Sequence, residues 1–202
     1  MKLYYSPGAC SLAPHIVLLE AGLAFEPVAA NLKTHQLTDG TDYYGINSKG
    51  YVPLLELDNG ERLTEGPAMV QYIADQVPDK KLAPANGTMA RYRLQEWLNF
   101  IASELHKGIG GLFNAAMPED GKTVIRAKAT DRLKWVDQQL EGRQYLMGDA
   151  FSVADAYLFT VANWTKMVGI DLSGMKNLSA FQARMAARPA VQAAMKAEGL
   201  LK

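Results

Sequence analysis

"MKLYYSPGACSLAPHIVLLEAGL" (residues 1–23) changes its periodicity at a proline-glycine turn. The run at 2–5 is rich in strand-forming residues, and after the turn apolar residues recur at the spacing of a helix. These apolar residues are Leu12, Ile16 and Leu19. Gly22 stands where such a helix would end. The stretch therefore predicts a strand, a turn that carries the single cysteine, Cys10, and then a helix.

The rest of the first half continues this mixture of strands and helices. Four further segments are predicted: a strand at 25–32, an irregular helix at 39–50, a hairpin at 52–65 and a helix at 66–77. Pro27 confines its strand to a sheet edge or places it at a strand end. Asn59-Gly60 suits the hairpin turn. The predicted order is β-α-β-α-β-β-α.

The second half is predicted to be helical throughout. Apolar residues at helical spacing form three stripes. They are Leu94, Leu98, Ile101 and Leu105; Leu133, Val136 and Leu140; and Leu178, Phe181 and Met185. Ser152, with Asp155 three residues later, predicts a capped helix start. We therefore expect an α/β domain at 1–78, a linker at 79–88 and an all-α domain at 89–202.

The composition argues against several kinds of partner. The 202 residues carry 21 Lys and Arg against 21 Asp and Glu, so the net charge is zero. This balance argues against nucleic acid or an anionic membrane as the main partner. One cysteine cannot form an internal disulfide, and residues 1–10 hold no secretory signal, so we expect a cytoplasmic protein. His15, His35 and His106 lack the spacing of metal ligands, so no metal is expected.

Cys10 is a candidate reactive thiol because of its position. At a helix start, free N–H groups and the helix dipole favour a thiolate. The alternative is a small buried apolar residue, as lone cysteines commonly are. Position 13 is Ala, so there is no Cys-x-x-Cys pair, and redox chemistry at Cys10 needs an external thiol.

Two further pairs of residues suggest ligand contacts. A cis bond at Val52-Pro53 would turn the main chain of Val52 outward for strand-like pairing with a peptide ligand; the alternative is an ordinary trans proline at a strand start. Glu65-Gly66 precedes a helix whose free N–H groups can bind a carboxylate, while Glu65 could pair with an ammonium. The alternative for Glu65 is a surface acid near a helix cap.

Five ordered stretches carry a family resemblance that spans essentially the whole chain. They read "MKLYYSPGACSLAPHIVLLEAGL", "NSKGYVPLLELDNG", "LTEGPAMVQYIAD", "EWLNFIASELHKG" and "FSVADAYLF". On these residues the chain resembles the bacterial, beta-class glutathione S-transferases. The resemblance implies a thioredoxin-like α/β domain that binds glutathione and an all-α domain that contributes the electrophile site. It also implies a homodimer that uses glutathione as co-substrate and needs no cofactor.

The resemblance assigns a set of glutathione contacts. They are Cys10, Ser11, His35, Val52, Pro53, Glu65, Gly66, Asn99, Ser103, Glu104 and His106. It places Cys10 beside the glutathione sulfur, with which it can form a mixed disulfide. Val52, before a cis Pro53, pairs with the cysteinyl main chain. Glu65 and the N–H of Gly66 hold the γ-glutamyl ammonium and carboxylate.

Two positions depart from the family pattern. Some relatives carry Ser where this chain has Gly66, so one hydrogen bond is absent or replaced. The family commonly has Lys where this chain has His35, and Lys33 is the nearby alternative contact for the glycyl carboxylate.

The helical half contributes a polar stripe next to an apolar one. Asn99, Ser103 and His106 fall at i, i+4 and i+7. The resemblance places them near Cys10 and the glutathione sulfur. It places Glu104 near the γ-glutamyl group, within one subunit or across a dimer interface. By itself, His106 would be interpreted as a solvated surface histidine.

Three functions compete. The first is conjugation of the glutathione thiolate to small hydrophobic electrophiles in detoxification, with Cys10 and His106 as catalytic residues. The second is glutathione-dependent thiol or peroxide reduction through Cys10, and the third is non-catalytic binding on the same fold. Tyr4 and Tyr5 are interpreted as strand residues. The electrophile pocket cannot be read from the sequence, since its candidates are equally good core residues: Leu112, Phe113, Tyr157 and Trp164.

Overall fold

The computed structural model describes residues 1–201, which divide into two compact units. The sheet unit comprises residues 1–82 and the C-terminal segment from Arg188 onward, and the helical unit comprises residues 83–187. The boundary after Leu82 falls inside the predicted linker. The C-terminal segment differs from the prediction, because it packs with the sheet unit and not with the helical domain predicted at 89–202. No helix within residues 1–201 is long and apolar enough to cross a membrane.

Five short strands form one mixed sheet in the sheet unit. In chain order they are β1 (Lys2–Tyr5), β2 (Glu26–Asn31), β3 (Gln36–Leu37), β4 (Leu54–Glu56) and β5 (Arg62–Thr64). The spatial order is β3-β2-β1-β4-β5. Strand β1 is parallel to β2 and antiparallel to β4, and β4 and β5 form the predicted hairpin. The α/β class of the first half is confirmed.

Two local predictions about this sheet need correction. The irregular helix expected at 39–50 is a single 3₁₀ turn at Tyr43–Gly45, and strand β3 was not predicted. This two-residue strand has no periodicity of its own and exists because it pairs with Ala30 and Asn31. Pro27 is the second residue of β2, which lies between β3 and β1, so the strand-end interpretation is right and the edge interpretation is wrong.

Three helices complete the sheet unit. They are α1 (Leu12–Ala21), α2 (Gly66–Asp75) and α8 (Pro189–Ala197). Helix α1 packs against both α2 and α8, which explains why it is buried on almost every side. It ends at Gly22, whose φ of 70° lets its N–H bond back to the last turn, as predicted.

A buried carboxylate fastens the C-terminal segment to the start of the chain. Glu198 follows α8, and its side chain is fully buried. Its Oε1 lies 2.8 Å from Nδ1 of the buried His15 in α1, and its Oε2 accepts from the N–H of Gly8 at 2.9 Å. Arg188 adds a bond of 2.7 Å to Glu20. These contacts explain why residues after 187 belong to the sheet unit.

The helical unit contains five helices. In chain order they are α3 (Met89–Phe100), α4 (Lys107–Gly111), α5 (Glu119–Gln139), α6 (Val153–Asn163) and α7 (Lys176–Ala186). All three predicted apolar stripes are buried. A π-helical turn, Ile101–His106, joins α3 to α4 and was not predicted. Residues 83–187, all of which are described, contain no strand, only an isolated bridge between Tyr145 and Gly148.

The predicted cap of α6 is confirmed, and it centres on another buried carboxylate. Asp155 Oδ2 accepts from the N–H of Ser152 at 2.7 Å and from its hydroxyl at 2.8 Å. Asp155 Oδ1 accepts from the N–H of Leu146 at 2.8 Å. Since Asp155 is completely buried, these donors hold the start of α6 in one position.

We predict that Glu198→Ala lowers the free energy of unfolding by about 3–5 kcal/mol, because it leaves the buried His15 and the N–H of Gly8 without their acceptor. Glu198→Gln should cost less, since its amide oxygen still accepts one bond. The control is Glu96→Ala, which removes an exposed ion pair with Arg93 and should cost less than about 1 kcal/mol. Urea unfolding at one fixed protein concentration measures all three variants. Equal losses for Glu198→Ala and Glu96→Ala would contradict the prediction.

Candidate functional site

Hydrogen bonds between Ser6 and Ser11 close the turn that carries Cys10. The N–H of Ser6 donates to Ser11 Oγ at 3.1 Å, and the same hydroxyl lies 3.2 Å from the carbonyl oxygen of Ser6. Gly8 has a φ of 71°, a conformation that suits glycine. Ser11 is completely buried, so its hydroxyl fixes the shape of the turn.

The thiol of Cys10 contacts the main chain of Val52. Its Sγ lies 3.2 Å from the Val52 carbonyl oxygen, to which it donates. The Val52–Pro53 bond is cis, as predicted. A thiol can donate to this carbonyl oxygen, so Val52 offers Cys10 a main-chain acceptor. Cys10 is partly exposed.

Tyrosines behind this pair form the core of the sheet. Tyr43 donates to the carbonyl of Tyr51 at 2.8 Å, and burial raises the pKa of Tyr43 to about 12. The rings of Tyr4 and Tyr43 lie 5.9 Å apart. Burial raises the pKa of Tyr4 and of Tyr5 as well. This agrees with their interpretation as strand residues, since a hydroxyl with a raised pKa does not readily ionise.

Glu65 occupies an unusual backbone conformation at the start of α2. Its φ is 70° and its ψ is 110°, a region that costs a residue with a side chain roughly 1–3 kcal/mol. The side chain is exposed and lies 2.8 Å from Nζ of Lys49, which also bonds Thr64 at 3.1 Å. Gly66 is the first residue of α2. Sequence analysis missed Lys49, since nothing local pairs it with a residue sixteen positions later.

The ring of His35 packs against a tyrosine, and one of its nitrogens is buried. Its φ is 52°, and its ring stacks on Tyr44 with centroids 4.4 Å apart. Its Nδ1 is buried and meets no hydrogen-bond partner among the described residues. Lys33, two residues earlier, is exposed. The choice between them as a carboxylate contact stays open.

In the helical unit, Asn99 and Ser103 lie together on an exposed surface. Ser103 Oγ donates to the carbonyl of Asn99 at 2.9 Å. Glu104, one residue further along the π-helical turn, bonds Arg132 at 2.9 Å and lies 3.4 Å from Lys128. The bond from Arg132 is the main reason that the pKa of Glu104 is lowered, and Lys128 contributes. Glu104 is therefore a carboxylate held by two cations of α5.

His106 ends the π-helical turn and is held by aromatic residues. Its Nδ1 lies 2.6 Å from the hydroxyl of Tyr157, and its ring meets that of Trp164 edge-on with centroids 5.0 Å apart. Tyr157 and Trp164 are buried, and so is Leu112, whereas Phe113 is half exposed. The environment of His106 differs from that of a solvated histidine. From the sequence, Tyr157 is predicted only as core or pocket wall, and its contact with His106 is not predicted because 51 residues separate the two.

Within each unit the structure thus brings some of the expected residues together. In the sheet unit Cys10 meets Val52, and in the helical unit Ser103 meets Asn99. The sheet unit offers a thiol, a main-chain edge and a carboxylate at a helix start. The helical unit offers an imidazole whose Nδ1 contacts the hydroxyl of Tyr157. The groups in the sheet unit are of the kinds that bind a small peptide-like molecule, and an imidazole is a group that can take part in proton transfer.

Known proteins of one family match almost the whole chain. Residues 1–75 match the "Glutathione S-transferase, N-terminal domain" and residues 100–189 the "Glutathione S-transferase, C-terminal domain". "Glutathione S-transferase GstA" of Escherichia coli O157:H7 is 48% identical, with 99% of this chain and 100% of the relative covered. A solved "Ternary complex of BphK, a bacterial GST" is 57% identical with a TM-score of 0.97, covering 98% of this chain and 100% of that one. The "Bacterial beta class Sphingomonas chungbukensis Glutathione S-transferase" is 48% identical with a TM-score of 0.96, and both chains are covered completely.

We predict that Glu65→Gly is more stable than Glu65→Ala by about 1 kcal/mol, because glycine adopts a φ of 70° without steric cost. Both variants lose the same ion pair with Lys49, so their difference isolates the backbone. The control is Glu96, inside α3, where the order should reverse because glycine costs about 1 kcal/mol relative to alanine in a helix. Thermal and urea unfolding measure the four variants. If alanine were the more stable substitution at both positions, Glu65 would carry no strain.

Proposed function

Because the chain belongs to the glutathione S-transferase family, we propose that it conjugates the glutathione thiolate to small, mostly hydrophobic electrophiles. The observation that carries this proposal is the arrangement of the sheet unit. Its cysteine turn faces the carbonyl of Val52, before a cis proline, and a carboxylate stands at the start of α2. Conjugation of this kind serves the removal of toxic compounds.

Glutathione binds along the sheet unit through main-chain and charged contacts. Its cysteinyl unit pairs with the main chain of Val52. Its γ-glutamyl carboxylate meets the N–H of Gly66 at the positive end of α2, and its ammonium meets Glu65. The Lys49–Glu65 pair supports this assignment because Lys49 already holds that carboxylate in place. Asn99, Ser103 and Glu104 complete the contacts from the helical unit, and Lys33 or His35 serves the glycyl carboxylate.

Activation of the glutathione sulfur requires a modest change in its ionisation. A thiol with a pKa of about 8.5 is only a few per cent thiolate at neutral pH. Lowering this pKa by about two units makes the thiolate dominant and needs about 2.7 kcal/mol of differential stabilisation. Donors supply this stabilisation: the Cys10 thiol, which turns from the Val52 carbonyl to the sulfur, and the imidazole of His106. The thiolate then attacks the electrophilic carbon, and the sulfur–carbon bond forms as the leaving group departs.

Cys10 also supports a second activity, thiol transfer through a mixed disulfide. Its partial exposure favours this role. A Cys10 thiolate attacks a disulfide of glutathione, forms a mixed disulfide and releases the other thiolate. A second glutathione then attacks, which returns Cys10 to its thiol and releases oxidised glutathione. Retention on immobilised glutathione tests binding alone. Together with turnover measurements, it separates both activities from a non-catalytic protein of the same fold.

We predict that Cys10→Ala separates the two activities. Conjugation of an activated aryl halide should survive within about tenfold, which corresponds to 1.4 kcal/mol of transition-state stabilisation, because other donors still hold the thiolate. Thiol transfer should vanish, since no sulfur remains to accept the transferred group. His106→Ala should weaken both activities. The measurement is kcat/KM for both reactions in the wild type and the two variants.

Two results would contradict this assignment. Loss of conjugation in Cys10→Ala with glutathione still bound would make Cys10 the main stabiliser of the thiolate. Thiol transfer that persists in Cys10→Ala would move the redox role to another group. Lys107→Ala is the control for His106→Ala, because it changes the next residue, which is exposed, and should alter neither reaction appreciably.

We further propose that the protein is a cytoplasmic homodimer. The single cysteine favours a reducing compartment, and the family resemblance supports the dimer. Light scattering at micromolar concentration should give twice the mass of one chain. A monomer with full conjugating activity would refute the dimer and would show that Glu104 serves its own subunit.

A further inference from the structure

An open cavity lies at the end of the sheet where its two parallel strands finish. Its volume is about 750 Å³, and it is lined by Ser6, Pro7, residues 29–34 and residues 36–38. The first two residues directly follow β1, and the segment 29–34 contains the end of β2, which is parallel to β1. Small ligands commonly bind at the carboxyl ends of parallel strands, in cavities of roughly 300–1,000 Å³. The cavity therefore has the place and the size of a site for a small organic molecule.

The same cavity adjoins the turn that carries Cys10. Its lining includes Ser6, whose N–H bonds the hydroxyl of Ser11, the residue after Cys10, at 3.1 Å. Ala30 of the cavity wall belongs to the apolar cluster that contains Val52, and the Cys10 thiol contacts the carbonyl of Val52. A molecule in the cavity therefore lies beside the turn at which the proposed function places the glutathione sulfur.

The lining combines apolar surface with a positive charge. Pro7, Leu32 and Leu37 supply apolar carbon, and Lys33 is the one charged side chain among the lining residues that the structure describes. Its ammonium forms no ion pair with any residue of the described chain, 1–201. Asn31 Oδ1 accepts from the N–H of Lys33 at 2.9 Å and so holds the backbone of this loop. Since a cation in such a lining attracts an anion, the matching ligand has an apolar body and a negative charge.

A carboxylate in this cavity can come from glutathione, through its glycyl end, or from the electrophile. His35 favours the second source. It is not among the described lining residues, and its ring packs with Tyr44 over Gly50, where an added Cβ would lie 3.1 Å from the imidazole. Gly50 stands two residues before Val52, the proposed partner of the cysteinyl unit, to which the glycyl unit of glutathione is joined. His35 is therefore placed for the glycyl carboxylate, which leaves Lys33 for the second substrate.

We propose that Lys33 selects electrophiles that carry a carboxylate as well as an apolar body. The ammonium of Lys33 holds the carboxylate, and the apolar body lies against Pro7, Leu32 and Leu37. With an aryl chloride of this class, the glutathione thiolate forms the sulfur–carbon bond, the carbon–chlorine bond breaks, and chloride leaves with the bonding pair. The carboxylate serves recognition and is unchanged by the reaction. The inference rests on the proposed function, which it narrows to acidic electrophiles.

A matched pair of electrophiles measures this selection. 4-Chloro-3-nitrobenzoate carries the carboxylate, and 4-chloro-3-nitrobenzamide replaces it with a neutral group of similar shape. With each kcat/KM divided by the uncatalysed rate with glutathione, the wild type should prefer the acid by about three- to fivefold, and less at high salt. Lys33→Gln should abolish this preference and Lys33→Glu should reverse it. The control Lys80→Gln, which changes an exposed lysine outside the described lining, should keep it.

The KM for glutathione separates the two sources of the carboxylate. It should stay within about twofold of the wild-type value in Lys33→Gln and should rise severalfold in His35→Ala. A large rise in Lys33→Gln, with the preference for the acid unchanged, would assign Lys33 to the glycyl carboxylate and overturn the inference. A wild type that does not prefer the acid would overturn it as well.

Binding without turnover separates this inference from the proposed function. 3-Nitrobenzoate lacks the chlorine, so it can occupy the cavity without reacting. It should shift the ¹⁵N-detected amide signals of residues 29–38 in the wild-type protein and bind more tightly than 3-nitrobenzamide, and Lys33→Gln should remove that difference. If this pattern holds while no electrophile is conjugated, the proposed function fails and the recognition of acids by Lys33 stands. If 3-nitrobenzoate shifts no signal in residues 29–38, the inference is overturned whatever the enzyme conjugates.

Discussion

The Glu198 carboxylate holds the chain on both sides of Cys10. Gly8 and His15 flank Cys10 in sequence, and both bond this one side chain, which lies 183 residues beyond the second of them. A buried carboxylate is stable only with such partners, so the segment after α8 cannot leave without exposing unpaired groups in the core. The turn that carries Cys10 is therefore held in place by contacts between the N-terminal segment and the segment after α8. This explains why the segment from Arg188 onward belongs to the sheet unit.

The helical unit repeats this arrangement with a different acid. Asp155 accepts from three donors and fixes the start of α6, and α6 carries Tyr157 to the imidazole of His106. In each unit a completely buried carboxylate fixes the backbone near a side chain of the proposed site: Glu198 near Cys10, and Asp155 near Tyr157, which contacts His106. Loss of either acid should therefore disturb the proposed activity as well as stability. Precise placement of this kind matters because small displacements of a catalytic group reduce rates strongly.

The sequence predicted what depends on local pattern and missed what depends on distant pairs. The strand at 2–5, the helix ended by Gly22, the hairpin at Asn59-Gly60 and the cap at Ser152 follow from residues within a few positions of each other. Strand β3 was missed because its two residues are ordered only by pairing with β2. The π-helical turn was missed because the apolar stripe that runs through it keeps the spacing of an ordinary helix. The partners of Glu65 and His106 are 16 and 51 residues away, beyond any local signal.

The contact between Cys10 and Val52 bears on both of the activities proposed for this protein. Its thiol is a donor to the Val52 carbonyl, the same main-chain group that flanks the proposed position of the glutathione cysteine. A neutral donor can turn to an incoming thiolate and stabilise it without reacting, which suits conjugation. Thiol transfer requires the opposite, a Cys10 thiolate that has given up its bond to the carbonyl. Because a bond to the carbonyl requires the thiol proton, we expect conjugation to start from the bonded form and thiol transfer to require loss of that proton first. We therefore expect the acceptor that faces Cys10 to influence the balance between the two proposed activities.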